Sequence, residues 1–474
     1  MLFRLIYDED LAQAAYLIGC QRTGEAIIID PERDIDRYID LATAHGLRIV
    51  AAAETHIHAD FLSGVRQFAE QTGARVLVSG EGGDDWQSGW LEGYDHRVLF
   101  DSDTFDIGNI RFTAVHSPGH TPEHLSYLVT DLGGGADTPI GMISGDFVFV
   151  GDLGRPDLLE TAAGIAGAKD ESAHALVSSA RRFLELPDHL QVWPAHGAGS
   201  ACGKAMGAVP QTTVGYERLF NPALSLAADE EAFVESILSG QPEPPLYFSR
   251  MKEWNRDGVP LLDAIPVPAS PAASELCSYL DGVRVIDVRA WPAFRDGHLP
   301  GAIWTSTGVN FLMTVGSYIE PTERIGLVAP TEFAATLVRD LVRIGLDSIE
   351  WIITPETFDE YIASGGAIES SPEVDAEEFR ELLSSDVETQ VLDVRRAAEW
   401  DLGHLDPVVN VAHTRLVARL DEVPSTGRVY VHCAGGIRSG MAVSELRRRG
   451  IDAINIAGGW DAMQKAGCTE VKCG

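Results

Sequence analysis

An internal repeat in the C-terminal half limits the fold more than any other feature of the chain. The segment 285–289 (VIDVR) is matched by 391–395 (VLDVR), and 297–299 (GHL) is matched by 403–405 (GHL), so both pairs have the same spacing. After each match the chain continues with an apolar strand, a loop, a helix that ends in Gly and another short strand. This pattern predicts two doubly wound α/β domains of about 100 residues each.

The rest of the chain is long enough for a further domain. A chain of 474 residues is too long for one hydrophobic core, and the Pro- and Ala-rich stretch 264–271 is typical of a linker. We therefore expect an α/β multidomain protein with domains over residues 1–255, 273–368 and 373–474. In the first domain, short β-branched runs alternate with helical stretches. Its predicted strands include Glu25–Asp30, Arg48–Ala53, Arg111–Val115, Gly141–Ser144 and Leu190–Trp193.

Charge and hydropathy exclude several classes of partner. The formal net charge is −35, which argues against binding to nucleic acid or to an anionic membrane, because phosphate groups need a basic surface. No apolar run approaches the roughly 20 residues that span a bilayer, and the N-terminus turns acidic at residues 8–10 before a signal peptide can develop. The six cysteines are widely spaced, unlike a disulfide framework. We therefore expect a cytoplasmic protein. Its oligomeric state stays open, a homo-oligomer being one alternative.

Polar residues follow four predicted strands of the first domain. A rigid sheet fixes loop residues at the ends of its strands, so these residues are candidates for one shared site. The two His residues at positions i and i+2 in the first of these segments are weak support for a metal site. Four segments in which His or Asp follows a strand together strongly favour one. The segments are 55–61 (THIHADF), 117–121 (SPGHT), 144–146 (SGD) and 194–197 (PAHG).

These motifs resemble the metallo-β-lactamase superfamily, whose signature is His-x-His-x-Asp-His followed by later His, Asp and His ligands. The resemblance implies an αββα sandwich over about residues 1–205. The sequence departs from the signature at Phe61, which stands where the last His of the motif belongs. A Phe ring cannot bind a metal, and Asp60 with His196 alone make a poor second site. The departure therefore favours one metal ion.

Within the superfamily the sequence is most similar to persulfide dioxygenases. That resemblance implies one Fe(II) per chain, held by His56, His120 and Asp146. Two imidazoles and one carboxylate leave three positions open, which suits oxygen chemistry at non-haem iron. The residues then expected to orient the ligands are His58, Asp60 and His196, although plain polar packing is the alternative for His58 and Asp60, as it is for the nearby His124.

Two further residues of the first domain are candidates for substrate chemistry. Persulfide dioxygenases carry a Gly-Arg-x-Asp sequence like that at 154–157, which makes Arg155 a candidate anchor for the thiol carrier; an ion pair with Asp157 is the alternative. Cys202 lies six residues beyond His196. If its loop turns back over the metal pocket, Cys202 could hold a persulfide, helped by Lys204; a surface thiol is the alternative.

A cysteine loop in the last domain predicts sulfur transfer. Cys433 follows the predicted strand Arg428–Val431 and lies at the start of a helix, where backbone N–H groups and the helix dipole favour a thiolate. Only four residues separate Cys433 from Arg438, against five in the phosphate-sized loop of protein tyrosine phosphatases, so a smaller outer sulfur atom is favoured. The domain resembles a single-domain rhodanese. The loop residues expected to bind the transferred sulfur are Gly435, Gly436, Arg438 and Ser439.

The other copy of the repeat has lost this loop. Alignment of residues 324–328 with 428–432 puts Ala329 at the position of Cys433, so residues 273–368 are predicted to be an inactive rhodanese homology domain. The whole chain is then expected to oxidise a low-molecular-weight thiol persulfide with dioxygen to sulfite and thiol, and to pass sulfane sulfur through Cys433 to sulfite, giving thiosulfate. The alternatives are a dinuclear zinc thioester hydrolase of the glyoxalase II type and a sulfur-relay module without turnover.

Overall fold

The computed structural model of the chain describes residues 1–161, 167–384, 389–424 and 426–468. It contains two compact units, Met1–Ala264 and Ile265–Gly474. The boundary between the units falls at the start of the Pro- and Ala-rich stretch. Cys473 lies outside the described residues. Within the described part of the chain, none of the helices is long and apolar enough to cross a membrane.

The first unit contains two six-stranded sheets, with strand orders β1-β2-β3-β4-β5-β6 and β12-β11-β10-β9-β8-β7. The strands of the first sheet are β1 (Leu2–Asp8), β2 (Gln13–Cys20), β3 (Glu25–Ile29), β4 (Arg48–Ala53), β5 (Arg75–Ser79) and β6 (His96–Leu99). Those of the second are β7 (Thr104–Ile107), β8 (Ile110–His116), β9 (Leu125–Asp131), β10 (Gly141–Gly145), β11 (Gln191–Pro194) and β12 (Thr212–Thr213). The helices are α1 (Asp36–Ala44), α2 (Val65–Thr72), α3 (Leu158–Thr161), α4 (Ala168–Phe183), α5 (Val214–Phe220), α6 (Pro222–Ser225), α7 (Glu230–Leu238) and α8 (Phe248–Asp257), with short 3-10 helices at Asp84–Trp86 and Leu132–Gly134.

Strand β2 shows why these elements form four layers. All eight of its residues are buried, and successive side chains of a strand point to opposite faces. Tyr16 and Ile18 pack into the apolar core between the two sheets, whereas Leu17 packs against helices α1 and α2 through Tyr38 and Phe68. On the far side of the second sheet, residues of β10 and β11 pack against α4 and α7. The first unit is therefore the αββα sandwich that the resemblance implied, and its predicted strands match the observed ones to within one or two residues.

The second unit contains two sheets of parallel strands, with orders β14-β13-β15-β16 and β17-β21-β20-β18-β19. The first consists of β13 (Val283–Asp287), β14 (Ile303–Trp304), β15 (Arg324–Val328) and β16 (Ile349–Ile353), and the second of β17 (Glu373–Val374), β18 (Gln390–Asp393), β19 (Val409–Asn410), β20 (Arg428–His432) and β21 (Asp452–Ile456). The helices are α9 (Trp291–Asp296), α10 (Val309–Tyr318), α11 (Thr331–Arg343), α12 (Pro355–Ala363), α13 (Ala376–Leu383), α14 (Ala397–Asp401), α15 (Ile437–Arg448) and α16 (Gly459–Ala466), with 3-10 helices at Leu276–Tyr279 and His413–Glu422.

The repeated Asp and Arg residues make the same contacts in both copies. Arg289 donates to the carboxylate of Asp287 at 2.6 Å, and Arg395 donates to that of Asp393 at 2.6 Å. Each guanidinium also donates to the carbonyl of the Gly in the repeated GHL segment and lies over an aromatic ring. A planar guanidinium can make several such contacts at once. In each copy the Asp and Arg pair therefore links the end of a strand to the loop that carries the GHL segment.

The two copies differ at the end of the next strand. Strand β20 is followed directly by Cys433, whereas β15, which pairs with β13 as β20 pairs with β18, is followed by Ala329. The first copy thus has no sulfur nucleophile at this position. Its description as an inactive rhodanese homology domain stays a prediction.

Candidate functional site

Three predicted metal ligands meet at one end of the sandwich. His56 follows β4, His120 follows β8, and Asp146 follows β10; all three are buried. Their ligand atoms lie within 4.8 Å of one another. His120 Nε2 lies 3.4 Å and His56 Nε2 3.9 Å from Asp146 Oδ2. The structure therefore brings together the two imidazoles and the carboxylate that the sequence singled out.

A glycine allows the chain to turn at this point. Gly145 has a φ of +54°, in the left-handed region that residues with a Cβ rarely adopt. A Cβ atom at Gly145 would lie 2.6 Å from both His124 Nε2 and Thr55 Oγ1. The close packing of three loops around Asp146 therefore depends on the absence of a side chain at position 145.

Hydrogen bonds at the outer ring nitrogens fix which nitrogen of each histidine faces the pocket. His120 Nδ1 lies 3.1 Å from the Arg155 carbonyl, which can only accept, so Nδ1 carries the proton and Nε2 a lone pair. For His56, the Thr55 hydroxyl donates to Asp30 and therefore accepts from His56 Nδ1 at 2.9 Å. Both imidazoles thus present Nε2 lone pairs, as metal-ligating histidines do.

The electrostatics favour the forms that bind a cation. Burial, reinforced by neighbouring imidazoles, lowers the pKa of His56 well below its usual value, and burial also lowers the pKa of His120. Burial alone would raise the pKa of Asp146, but the surrounding histidines, His196 foremost, outweigh it and lower that pKa. Both carboxylate oxygens of Asp146 are buried without a hydrogen-bond partner among the described residues. The Nε2 lone pairs of His56 and His120 and the Asp146 carboxylate face one another with no proton to share, and a metal ion between them would satisfy all three.

The predicted orienting residue His58 turns away from the pocket. Its Nε2 lies 3.1 Å from Asp30 Oδ1, and its ring packs 4.3 Å from His56 and 4.4 Å from Phe61, measured between ring centroids. Burial would lower the pKa of His58, but the Asp30 carboxylate outweighs burial and raises the pKa to about 9. The protonated His58 ring and the Asp30 carboxylate thus form a buried ion pair behind His56.

Two further residues support the ligands: Asp30, which sequence reasoning missed, and His124, for which it favoured polar packing over a place in the pocket. Asp30 accepts from the Thr55 backbone at 2.7 Å as well as from the Thr55 hydroxyl, and it is the first residue after β3. The position of a polar residue beyond a strand end was the signal that could have found it. His124, for which polar packing was the alternative, accepts from the backbone N–H of Asp146 at 3.1 Å and so holds the carboxylate ligand in place.

A second group of buried candidate ligands lies beside the first, and the expected single metal ion stays a prediction. Asp60 and His196 were considered too few to bind an ion, but Cys202 joins them, and the ligand atoms of the three lie within 4.8 Å of one another. His196 Nδ1 lies 2.9 Å from the Ala12 carbonyl, so its Nε2 lone pair faces Asp60 Oδ2 at 3.3 Å. The loop after β11 does turn back over the pocket, because its Cys202 side chain lies beside Asp60, which is far away in the sequence.

The surroundings of Cys202 differ from those predicted for an activated thiol. Its side chain is buried, and burial together with the carboxylates of Asp146 and Asp60 raises the pKa of Cys202 well above its usual value. Lys204, the expected helper, instead donates to the backbone carbonyls of Ser236 and Ser239. Cys202 is therefore a protonated thiol unless a cation binds beside it.

The predicted carrier anchor Arg155 is occupied by contacts within the protein. Its guanidinium is buried and donates to both carboxylate oxygens of Asp157, at 2.8 Å and 2.5 Å, and to the Ala201 carbonyl at 3.0 Å. These bonds tie the loop after β10 to the loop that carries Cys202. The geometry thus favours the ion pair, and binding of a carrier by Arg155 stays a prediction without structural support.

The cysteine loop of the second unit has the arrangement expected for a sulfur nucleophile. Cys433 is buried, and its sulfur accepts from the backbone N–H of Gly436 at 3.1 Å and from the Ser439 hydroxyl at 3.5 Å. Gly435 is exposed and has open space around its Cα. Arg438, in the first turn of α15, is held by Glu399 through two hydrogen bonds of 2.6 Å and 2.7 Å.

Comparison with known proteins supports both parts of the chain. A family model described as the metallo-beta-lactamase superfamily matches residues 8–196, and one described as a rhodanese-like domain matches residues 375–466. A crystal structure of a metallo-beta-lactamase from Staphylococcus aureus subsp. aureus COL is 42% identical with a TM-score of 0.69, over 75% of this chain and 99% of that chain. The chain belongs to the metallo-beta-lactamase superfamily. It also carries a C-terminal rhodanese-like domain.

More distant relatives are similar to about half of the chain. A beta-lactamase hydrolase-like protein of Xylella fastidiosa (strain 9a5c) is 29% identical over 48% of this chain and 53% of its own length, so the matched segment spans about half of that relative. The mitochondrial persulfide dioxygenase ETHE1 of Bos taurus is 26% identical over 48% of this chain and 78% of its own length. The chain thus has persulfide dioxygenase homologues.

Proposed function

We propose that this protein oxidises a low-molecular-weight thiol persulfide and couples the oxidation to sulfane-sulfur transfer. In the first reaction RSSH, dioxygen and water give RSH, sulfite and two protons. The observation that carries the proposal is the set of Nε2 lone pairs of His56 and His120 facing the Asp146 carboxylate, in a chain where Phe61 replaces the next ligand of the motif. One Fe(II) per chain suits this set, since two imidazoles and one carboxylate are typical of non-haem iron oxygenases.

The residues around the ligands serve this chemistry by holding geometry and excluding water. Ferrous iron, when bound, supplies electrons and open coordination positions for dioxygen and for a sulfur ligand. The His58–Asp30 pair fixes the ring of His56 from behind, and His124 fixes the backbone of Asp146. The Phe61 ring is fully buried beside His58. Cys202 lies beside Asp60 and His196, and its role as a carrier of sulfur stays a prediction.

The second reaction takes place at Cys433. The Cys433 thiolate attacks the outer sulfur of RSSH, the S–S bond breaks, and RSH leaves, so that Cys433 carries a persulfide. Sulfite then attacks the outer sulfur of that persulfide; a new S–S bond forms, the old one breaks, and the electron pair returns to Cys433. Thiosulfate is the product. The Gly436 N–H and the Ser439 hydroxyl stabilise negative charge on sulfur during both steps. With both reactions on one chain, sulfite is produced close to its next catalyst.

Oxygen consumption tests the first reaction. Iron-loaded protein should consume one dioxygen per persulfide and release sulfite when it is given glutathione persulfide or coenzyme A persulfide. Thiosulfate should replace sulfite when the persulfide is in excess, and Cys433→Ala should abolish only this replacement. No oxygen uptake with either persulfide would reject the dioxygenase, and thiosulfate formation that survives Cys433→Ala would reject the role of the cysteine.

A second candidate function follows from the Asp60, His196 and Cys202 group. Three buried ligands beside the first set could hold a second ion, as in a dinuclear zinc thioester hydrolase of the glyoxalase II type. Metal content distinguishes the two: the dioxygenase requires one iron per chain, whereas the hydrolase requires two zinc ions and cleaves S-lactoylglutathione without consuming oxygen.

A further inference from the structure

His413 lies beside the cysteine loop at the carboxyl edge of the parallel sheet. Its backbone N–H donates to the Val394 carbonyl at 3.1 Å, and the Val394 N–H donates to the His432 carbonyl at 2.9 Å. His432 is followed directly by Cys433. Because β18 lies between β19 and β20, the residues that follow these three strands lie next to one another at one edge of the sheet. Ligands of open parallel sheets bind at this edge.

The ring of His413 is buried and makes no hydrogen bond to any residue that the structure describes. Its exposed fraction is 2%, and both Nδ1 and Nε2 lack a partner. A neutral imidazole always carries one N–H donor and one lone pair. Buried polar groups are nearly always paired because an unpaired one is costly. A ring with two unused nitrogens therefore points to a ligand that completes its hydrogen bonds.

The charges around His413 suit an anion. Burial, reinforced by the charges of Arg438 and Arg396, lowers the pKa of His413 to about 3, while Glu399 opposes this shift. The ring is thus neutral and can donate one hydrogen bond in a positive field. Arg438 also interacts with Cys433, so the same guanidinium lies near both side chains.

Arg438 itself is less suited to direct an incoming anion, because Glu399 occupies two of its terminal N–H groups in a bidentate pair. The N–H of His413 is not used in this way. The geometry points to His413 as the residue that selects the sulfur acceptor at Cys433, by donating a hydrogen bond to an oxygen atom of sulfite. This inference rests on the proposed sulfurtransferase function.

The hydrogen bond distinguishes acceptors by their chemistry. Sulfite attacks the outer sulfur of the Cys433 persulfide through its own sulfur atom, so its oxygens stay free to accept from His413. The transfer needs no proton, because the electron pair of the broken S–S bond returns to the Cys433 thiolate. Cyanide accepts the same sulfur through its carbon atom to give thiocyanate, and the nitrogen of this linear ion points directly away from the attacked sulfur, whereas the three oxygens of sulfite spread to the sides. The reaction with sulfite should therefore depend on the His413 N–H far more than the reaction with cyanide.

The test compares the two acceptors without oxygen, so that the oxidation reaction cannot contribute. The full-length protein is loaded with sulfane sulfur from glutathione persulfide under anaerobic conditions, and thiosulfate and thiocyanate are measured. His413→Leu should lower kcat/KM for sulfite roughly ten- to a hundredfold, the range for one hydrogen bond to a charged group. The rate with cyanide should change less than about threefold. His413→Gln, which keeps an N–H donor, should recover most of the rate with sulfite.

The control is Glu422→Gln, an exposed position beyond the kink at Arg419 in the segment His413–Glu422, which should leave both rates unchanged. Equal losses with sulfite and cyanide in both His413 variants would overturn the inference, as would full activity of His413→Leu with sulfite. If His413→Leu does not fold, His413→Phe retains an aromatic ring and allows the same comparison. Transfer to cyanide that persists in Cys433→Ser would instead reject the proposed role of Cys433 in sulfur transfer.

Discussion

His196 Nε2 lies 3.4 Å from Asp146 Oδ1. The other oxygen of this carboxylate faces His120 and His56, so Asp146 borders both groups of candidate ligands. His196 Nδ1 lies 2.9 Å from the Ala12 carbonyl, so the neutral tautomer that fits this contact presents its Nε2 lone pair to a cation bound beside Asp146. Asp146 is therefore placed to offer one oxygen atom to each of the two groups.

Asp146→Asn should remove the metal. The amide cannot supply the negative charge that holds the cation together with the lone pairs of His56 and His120, so we expect bound iron to fall below about a tenth of the wild-type content. Oxygen uptake should fall in parallel. Elemental analysis of purified protein measures the first and an oxygen electrode the second. Asp106→Asn, at an exposed ion pair with Arg111, should leave both unchanged; wild-type iron content in Asp146→Asn would contradict the proposed ligand set.

Phe61→His should create a second metal site. The new imidazole would join Asp60, His196 and Asp146 and restore the ligand that the motif lacks. We expect the variant to bind two zinc ions per chain after reconstitution, where the wild type binds fewer, and Phe61→Leu to bind as the wild type does. Titration with zinc followed by gel filtration and metal analysis gives the stoichiometry. Two zinc ions in the wild-type protein would favour the thioester hydrolase.

The reactivity of Cys202 should depend on pH and on metal. Burial and two carboxylates raise its pKa well above the usual value, and only the thiolate is alkylated rapidly. In metal-free protein, alkylation of Cys202 by iodoacetamide should be slow at pH 7 and still increase above pH 9, as followed by mass spectrometry of the peptide. Asp60→Asn, which removes one of the charges, should shift this increase to lower pH. Rapid alkylation at pH 7 would show that the thiol is activated.

The buried pair of His58 and Asp30 should make the stability of the metal-free protein depend on pH. The folded-state pKa of His58 is raised from its usual 6.5 to about 9, so its stabilisation is fully present below pH 6.5 and is lost as the pH rises through 9. The difference in unfolding free energy between wild type and His58→Gln should therefore shrink from pH 6 to pH 10. Urea unfolding at each pH measures it, and a constant difference would mean that His58 is neutral.

Arg438→Lys should weaken sulfur transfer because lysine cannot form the bidentate pair with Glu399. We expect the rate of thiocyanate formation to fall by about tenfold, the size of one lost charge-assisted hydrogen bond. Arg419→Lys, at an exposed pair with Glu422, is the matched control. Equal effects of the two substitutions would show that the Arg438 pair has no special role.

The sequence alone determined the features that depend on neighbouring positions in the chain. Strand periodicity located β3, β4, β8, β10 and β11 closely, and the rule that loop residues follow strand ends pointed to four segments of one site. The resemblance to persulfide dioxygenases singled out His56, His120 and Asp146 within them. The repeat predicted two similar sheets, and the spacing of Cys433 and Arg438 indicated a sulfur site. These are local patterns, because side-chain alternation, turns and loop lengths are set within a few residues.

Only the tertiary structure decided which loops meet. The contact between His196 and Ala12 joins residues 184 positions apart, and no local pattern encodes such a pairing. The same holds for Arg155, which the sequence placed at the substrate and the structure binds to Asp157 and the Ala201 carbonyl, and for Cys202, which completes a second ligand group. Hydrogen-bond partners, protonation and burial arise when distant segments pack together, and they determine what each side chain can do.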